Sequence, residues 1–378
     1  MKNSKNSSLA KLVAFFLIVI ALICTVGFAS DGWQSILEKP DNGNEGENAD
    51  NNADGNNNGE NSDPDGSENQ EELPVVNPIP EYLDYLTGLE STQEASFIRY
   101  MAFITRTDAP IYGLSDSALT IEITTEDGKT RFISFKKGSD VGGKIGSFAA
   151  NRDYISYLIN AFGGISVGYG DDDRFEYTIS AKAENELDFS RFSGYSYTEY
   201  SEYVYTNADL LSAFINKTGI NTSLSVSQTS LPFNFAGYYD EKILGNEGAV
   251  SISICYGQGN TTELIYSSET EKNMLSKNGS VAIDLINNKK LEYNNVFVLF
   301  ADSVTFETTN ATQTIISTDS QGVGYYISNG KMQSIRWSKG DSGELTFLTS
   351  DGEKLTVNRG TSYIGYVKSS QIANVKVS

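Results

Sequence analysis

The chain has no histidine in 378 residues. That removes Ser-His-Asp and Cys-His nucleophile activation, histidine-ligated zinc and the commonest general base near neutral pH. Cysteine is almost as scarce, with only Cys24 and Cys255. Cys24 lies in an apolar N-terminal run, so Cys255 is the single thiol of the remaining chain and no intrachain disulfide staples it. The alternating stretch Ala249 to Tyr256 predicts a strand in which Cys255 is a small packed hydrophobe. Basic residues are outnumbered, 28 against 49 acids, which argues against a nucleic-acid partner.

Leu12 to Ala29 form an apolar run behind Lys2, Lys5 and Lys11. As a helix it rises about 27 Å, close to the roughly 30 Å hydrocarbon thickness of a bilayer. Three outcomes are open: an uncleaved anchor, a signal cleaved after Gly27-Phe28-Ala29, or lipidation at Cys24, where Ile23 departs from the small residue preferred before a lipidated cysteine. Residues 1–30 are therefore read as signal peptide or membrane anchor, and the protein as extracytoplasmic, either membrane-tethered at the cell surface or secreted.

Residues 31–80 read as an acidic, Asn/Gly-rich linker. From Asp41 to Glu72 there is no Lys, Arg, aromatic or β-branched residue, so this stretch builds no core. Its eleven acids account for more than half of the net charge of −21. A flexible tether of that length spans about 30 Å, enough to hold a domain clear of a membrane and towards a cell wall. Asp50-Asn51-Asn52-Ala53-Asp54-Gly55 opens like a calcium loop, but Asn61 stands where the bidentate Glu is needed, which favours a plain spacer.

The remaining 300 or so residues suggest two domains by length, taken as 81–230 and 231–378. In the first, Leu119 to Thr125 and Thr130 to Phe135 alternate around Asp127-Gly128, a hairpin signal that places Ile121, Ile123, Phe132 and Ser134 on one face. Ser147 is a candidate cap for a helix carrying Phe148, Ile155, Leu158, Ile159 and Phe162, closed by Gly163. A second helix is expected from Asn207, burying Leu210, Leu211 and Phe214 and ending at Gly219. The second half is nearly all strand signal: Ser280 to Ile286, Asn295 to Phe300, Gln313 to Ser317, and tight hairpins at Asn329-Gly330 and Asp351-Gly352. The expected class is α+β: a mixed α/β N-terminal domain followed by a β-rich antiparallel C-terminal domain, the latter a meander packed as a sheet or small barrel.

Those hairpins carry a resemblance. Gly322-Val323-Gly324-Tyr325-Tyr326, Asn329-Gly330-Lys331, Ile335-Arg336-Trp337-Ser338-Lys339, Asp351-Gly352-Glu353-Lys354-Leu355 and Asn358-Arg359-Gly360-Thr361-Ser362-Tyr363-Ile364 resemble the C-terminal domain of the YerB-like lipoprotein family. Leu86-Thr87-Gly88-Leu89, the stretch Gly113-Leu114-Ser115-Asp116 through Thr130-Arg131-Phe132, and Lys144-Ile145-Gly146 to Arg152 resemble its N-terminal domain, with Ala149 where the family carries its first arginine. The resemblance runs from about Tyr85 to the C-terminus. It implies a secreted envelope protein of Gram-positive bacteria in a family with no assigned function. It also implies three histidines that this chain replaces with Ala161, Glu202 and Ala282. If they serve a metal or a reaction in relatives, this chain keeps the fold and a binding role without the chemistry.

Other signals have structural readings beside functional ones. Gly138 to Lys144 fits a phosphate loop until Ile145 takes the Ser/Thr position, so a strand-to-helix connection is expected and no nucleotide. Glu122 and Glu126 stand about 13 Å apart if both lie on one strand, beyond the roughly 5 to 9.5 Å of glycosidase pairs. Arg131 is placed diagonal to Glu122 on the same hairpin face, as a surface ion pair. Asp171-Asp172-Asp173 reads as a solvated turn or a hard-cation site. Tyr195, Tyr197, Tyr200, Tyr203 and Tyr205 fit two short strands each burying one face, or a glycan-binding face. Trp337 shares the parity of Ile335 and is expected in the core of the C-terminal sheet.

The reading is a non-catalytic extracytoplasmic cell-envelope binding or scaffolding protein. Its candidate ligand-binding residues are Glu122, Glu126, Arg131, Arg152, Tyr203 and Tyr205. No catalytic residue, metal ligand or cofactor is assigned; the partners are a cell-wall or envelope component and, through the N-terminus, the membrane. The alternatives are a cell-wall-modifying hydrolase using carboxylates and a glycan-binding module using the Tyr195–Tyr205 cluster.

Overall fold

The structure is a computed structural model that describes residues 78–170, 186–224, 233–307, 312–339 and 343–378. The N-terminal apolar run, the acidic tract with its calcium-like loop, and Asp171 to Asp173 lie outside the described residues. Val75–Ser378 form one compact unit, which is β-rich with few helices. Among the described residues no helix is long and apolar enough to cross a membrane.

An eleven-stranded sheet runs through both halves of the chain. At its centre Ser362–Lys368, near the C-terminus, lies parallel between Asn295–Ala301 and Leu119–Thr124. Leu119–Thr124 pairs antiparallel with Thr130–Lys136, which pairs with Met101–Arg106. On the other side, Asn295–Ala301 continues through Gln321–Ser328 to Lys331–Lys339. Every residue of Leu119–Thr124, Thr130–Lys136 and Asn295–Ala301 is buried, because both faces of the sheet are covered. One face, with Ile121, Ile123, Ile133 and Ile364, packs against Ile155, Leu158 and Ile159 of the helix Asp153–Ala161. The other, with Phe132, Val296, Val298 and Tyr363, packs against Ile252, Ile254, Leu264 and Leu275 of a six-stranded sheet built on Ser251–Gly257, Asn260–Ser267 and Lys272–Lys277. The expected meander is therefore divided between two stacked sheets, and its last long strand returns to the centre of the larger one.

The first hairpin differs from the sequence expectation by one residue of register. Glu122 faces Phe132 and Ile121 faces Ile133, so Phe132 and Ser134 lie on the face of Glu122, while Ile121 and Ile123 share a face with Ile133 and Arg131. Thr125 N donates to Lys129 O at 2.8 Å, leaving three loop residues, Glu126 to Gly128, instead of two. The extra loop residue shifts the pairing and so exchanges the faces on one strand. Asn329-Gly330 does close a two-residue loop, between Ser328 and Lys331, with both central residues at positive φ as a type I′ turn requires.

The second helix spans Ala208–Thr218, with Asn207 accepting from Leu210 N and Gly219 ending it at φ +65°. Leu211 and Phe214 are buried and Leu210 is half-buried. The first helix begins at Asp153, not after Ser147, because Phe148 N donates to Val204 O and Ala149 N to Ile104 O. Backbone committed to those partners cannot join a helix. Ser280 to Ile286 is not one strand but two short pairs, Ser280–Val281 and Ile283–Asp284. Gly138–Asp140 is one 3₁₀ turn followed by the strand Ile145–Gly146, so no helix N-terminus follows the phosphate-loop match. Cys255 sits half-buried on the outer face of Ser251–Gly257, while Ile254 and Tyr256 on either side face the core.

Candidate functional site

Glu122 is fully buried in the space between the two sheets. Its Oε1 accepts from Thr130 Oγ1 and Lys277 Nζ, each at 2.7 Å. Its Oε2 accepts from Thr262 Oγ1 at 2.7 Å and Tyr363 OH at 2.8 Å. Lys277 also donates to Asn260 Oδ1 and Thr262 Oγ1, so its ammonium has three partners. The Tyr256 hydroxyl lies 3.3 Å from that of Tyr363. Burial pushes both phenols well above their ordinary range, and the Glu122 charge adds to the effect. A buried carboxylate held by one cation and three hydroxyls has no lone pair facing a cavity.

Glu126 forms a second closed unit. Arg152 donates to its Oε1 from Nε at 2.8 Å and from Nη2, and Tyr154 OH donates to Oε2 at 3.1 Å. Both partners of the ion pair are buried, with side chains 6% and 5% exposed. Arg131 makes no pair with Glu122. Its Nη2 lies 3.3 Å from Asp127 Oδ2 and its Nη1 donates to Thr130 O, because the three-residue loop turns Arg131 onto the face opposite Glu122. The structure thus brings Glu126 and Arg152 together, sends Glu122 to Lys277, and pairs Arg131 with Asp127 of the hairpin turn.

The tyrosine cluster is the expected pair of short strands, Tyr197–Glu199 and Tyr203–Thr206, with Tyr197 opposite Tyr205. Tyr205 is buried, and Lys144 Nζ lies 3.8 Å from its ring centroid and 4.1 Å from that of Tyr112, where it also meets Glu199. Tyr195 stacks on Phe214 at 4.9 Å. These rings serve packing. Tyr203 is half-buried under the Arg106 guanidinium, 5.1 Å away, and Tyr200 stands at the turn, 83% exposed and at φ +53°.

The positions where the resemblance implies histidine do not converge. Ala161 packs on the core at the helix side of the large sheet, Ala282 is buried in the core on the opposite side, and Glu202 is exposed, 3.9 Å from Arg106. The motifs around them are structural. Asp284 accepts from Gly113 N at 2.9 Å, Ser115 N at 2.8 Å and Ser115 Oγ at 2.7 Å, tying Gly113-Leu114-Ser115 to the second half of the chain. Asp84 Oδ1 accepts from Leu86 N, Thr87 N and Thr87 Oγ1, while its Oδ2 takes Lys137 Nζ at 2.7 Å and Tyr100 OH at 2.6 Å. Lys277, Thr262 and Asp284 escaped sequence reasoning because their partners are 140 or more residues away, and no local pattern marks such pairs. Among the described residues no group of three or more acidic or cysteine side chains is placed to hold a metal ion.

No curated protein matches the chain. The crystal structure of YerB protein from Bacillus subtilis superposes with a TM-score of 0.68 at 20% sequence identity, covering 79% of this chain and 100% of that one, which establishes a shared fold. Residues 86–221 match the N-terminal domain, and residues 252–364 the C-terminal domain, described as Protein of unknown function (DUF3048). With both domains present in order, the chain belongs to the two-domain, YerB-like DUF3048 family of proteins of unknown function.

Proposed function

We propose that this protein is a non-catalytic binding or scaffolding component of the cell envelope, held outside the membrane by residues 1–30 and spaced from it by the acidic linker. In this reading residues 81–230 act as a mixed α/β domain and 231–378 as a β-rich one, antiparallel as expected except where Ser362–Lys368 runs parallel to Asn295–Ala301 and Thr356–Val357 to Asn234–Phe235. The observation that carries the non-catalytic part is the saturation of Glu122 and Glu126. A general acid, base or nucleophile needs an oxygen within reach of the substrate, and all four carboxylate oxygens here already accept from protein donors. The location rests on the lysine-flanked apolar run and the charge of the tract after it.

Glycan binding through the tyrosine face is a second reading, favoured by the exposure of Tyr200 beside Tyr203. Co-sedimentation of the full chain, in detergent, with purified cell wall tests both. The expected result is binding without release of soluble fragments, weakened in a Tyr200→Ala/Tyr203→Ala variant if that face is the contact. Release of soluble wall fragments that stops with Glu122→Gln or Glu126→Gln would make the protein a hydrolase.

A further inference from the structure

A groove of about 180 Å³ opens where residues 236–242, the turn at Asn329 and the pair Asn358-Arg359 meet. Its floor is rigid. Asn358, 5% exposed, accepts from Ile243 N and donates to Ile243 O, both at 2.7 Å, and its own N–H reaches the buried Tyr326 hydroxyl at 2.9 Å.

Arg359 is held on one side only. Its Nη1 donates to the carbonyl of Gly88, a residue at φ +65° whose own N–H is tied to Asp84 O at 2.7 Å. The guanidinium carbon lies 5.0 Å from the Tyr238 ring centroid. Nε is buried and has no acceptor, and no described residue accepts from Nη2. The Nε–Nη2 edge is the fork that pairs with a carboxylate through two parallel hydrogen bonds, and because Nε is covered in this structure a ligand reaches it only by displacing the atoms over it. Asn294 is anchored through Oδ1, which accepts from Thr361 N at 3.1 Å, so its Nδ2 remains as a further donor. Acceptors also line the groove: Asp240 uses Oδ2 for Gly237 N at 2.7 Å and keeps Oδ1, and Asn329 donates to Ser328 while keeping its own oxygen.

From these we infer that the groove binds the C-terminal end of a peptide, with the terminal carboxylate on Arg359 and Asn294 and the adjacent amide N–H on Asp240 or Asn329. The volume is below the roughly 300 to 1,000 Å³ of pockets that enclose a whole small ligand, which fits the end of a chain. An acidic sugar would bring the same carboxylate, but it gains from stacking on an open ring. One face of Tyr238 already carries Arg359, and Tyr239 packs at 84° to it with centroids 5.1 Å apart, so Tyr238 has at most one face to offer a sugar.

The inference deepens the binding reading and rests on it only for the existence of a ligand. The test uses the full chain in detergent with fluorescein-Ala-Ala as the free acid and as the C-terminal amide, followed by anisotropy. The expected result is at least about tenfold tighter binding of the acid, the scale of one charge-assisted hydrogen bond, with the preference lost in Arg359→Lys, which keeps the charge without the fork. Should Arg359→Lys unfold, a photo-crosslinking version of the acid decides with the wild-type chain: adducts within 236–242 or at Asn329 support the groove, and adducts elsewhere refute it. Equal binding of acid and amide, a preference that survives in folded Arg359→Lys, or binding of glucuronate in place of the peptide would each overturn it. A chain that sediments with cell wall yet binds neither peptide refutes the groove and leaves the binding reading standing.

Discussion

Lys277 reaches across from the small sheet to close a 2.7 Å ion pair with Glu122 on Leu119–Thr124 of the large one, with side chains 10% and 0% exposed. The pair joins residues 155 positions apart and belongs to both halves of the chain. A buried charge left without its partner is much costlier than a matched apolar pair.

Lys277→Met is therefore expected to lose about 3 to 5 kcal/mol in urea unfolding, because it strands the Glu122 carboxylate among hydroxyls alone. The double variant Glu122→Gln/Lys277→Met should recover part of that loss. A single-variant loss under about 1 kcal/mol would contradict this.

Asp284 predicts a pH dependence. Burial opposes its charge, but the donors Ile286 N, Ser115 N, Gly113 N and Ser115 Oγ outweigh it and hold the carboxyl below its ordinary value. A depressed value means that the ionised latch stabilises the fold above the unfolded pKa of about 3.9, and that this is lost as pH falls through the folded value. Asp284→Asn should cost about 1 to 3 kcal/mol at pH 7, with the gap to wild type narrowing below about pH 4. Melts at pH 7, 4 and 3 check this; a gap that widens in acid contradicts it.

Trp337 lies in the core as its parity with Ile335 suggested, 1% exposed, donating to Phe300 O at 3.1 Å and edge-on to Tyr366. Trp337→Ala should cost about 3 to 5 kcal/mol and collapse the near-ultraviolet circular dichroism signal. An equally stable, soluble variant that no longer binds cell wall would make Trp337 a recognition residue instead.

Deleting Asp41 to Glu72 should move the Tm of the chain by no more than about two degrees, since nothing in the tract can join a core. A drop of many degrees would mean that the segment packs.

Thermal melts in EDTA, zinc and calcium are expected to superimpose. A calcium-dependent rise of about five degrees or more would point to the Asp50 loop or Asp171 to Asp173.

Local signals in the sequence identified the helix between Asn207 and Gly219, the Asn329-Gly330 hairpin, the burial of Trp337 and the two short strands that carry Tyr197, Tyr203 and Tyr205. Each depends on residues a few positions apart, which backbone geometry couples directly. The first hairpin shows where such reading stops. Asp127-Gly128 marked a turn, but whether its loop held two residues or three was set by the pairing beyond it, and that one residue moved Arg131 away from Glu122.

By itself the sequence determined what chemistry is excluded: without histidine and with one thiol outside the N-terminal run, the usual activated nucleophiles have no residues to form them. It also carried the motifs of both family domains. Only the tertiary structure decided the fate of the candidate site. Leu119–Thr124 alternates like a strand with one wet face, yet the sheet built on residues 251–277 covers that face. A carboxylate buried there is tolerated only with its charge and hydrogen bonds matched, and the matching groups, Lys277, Thr262 and Tyr363, come from strands that sequence distance cannot place beside Glu122.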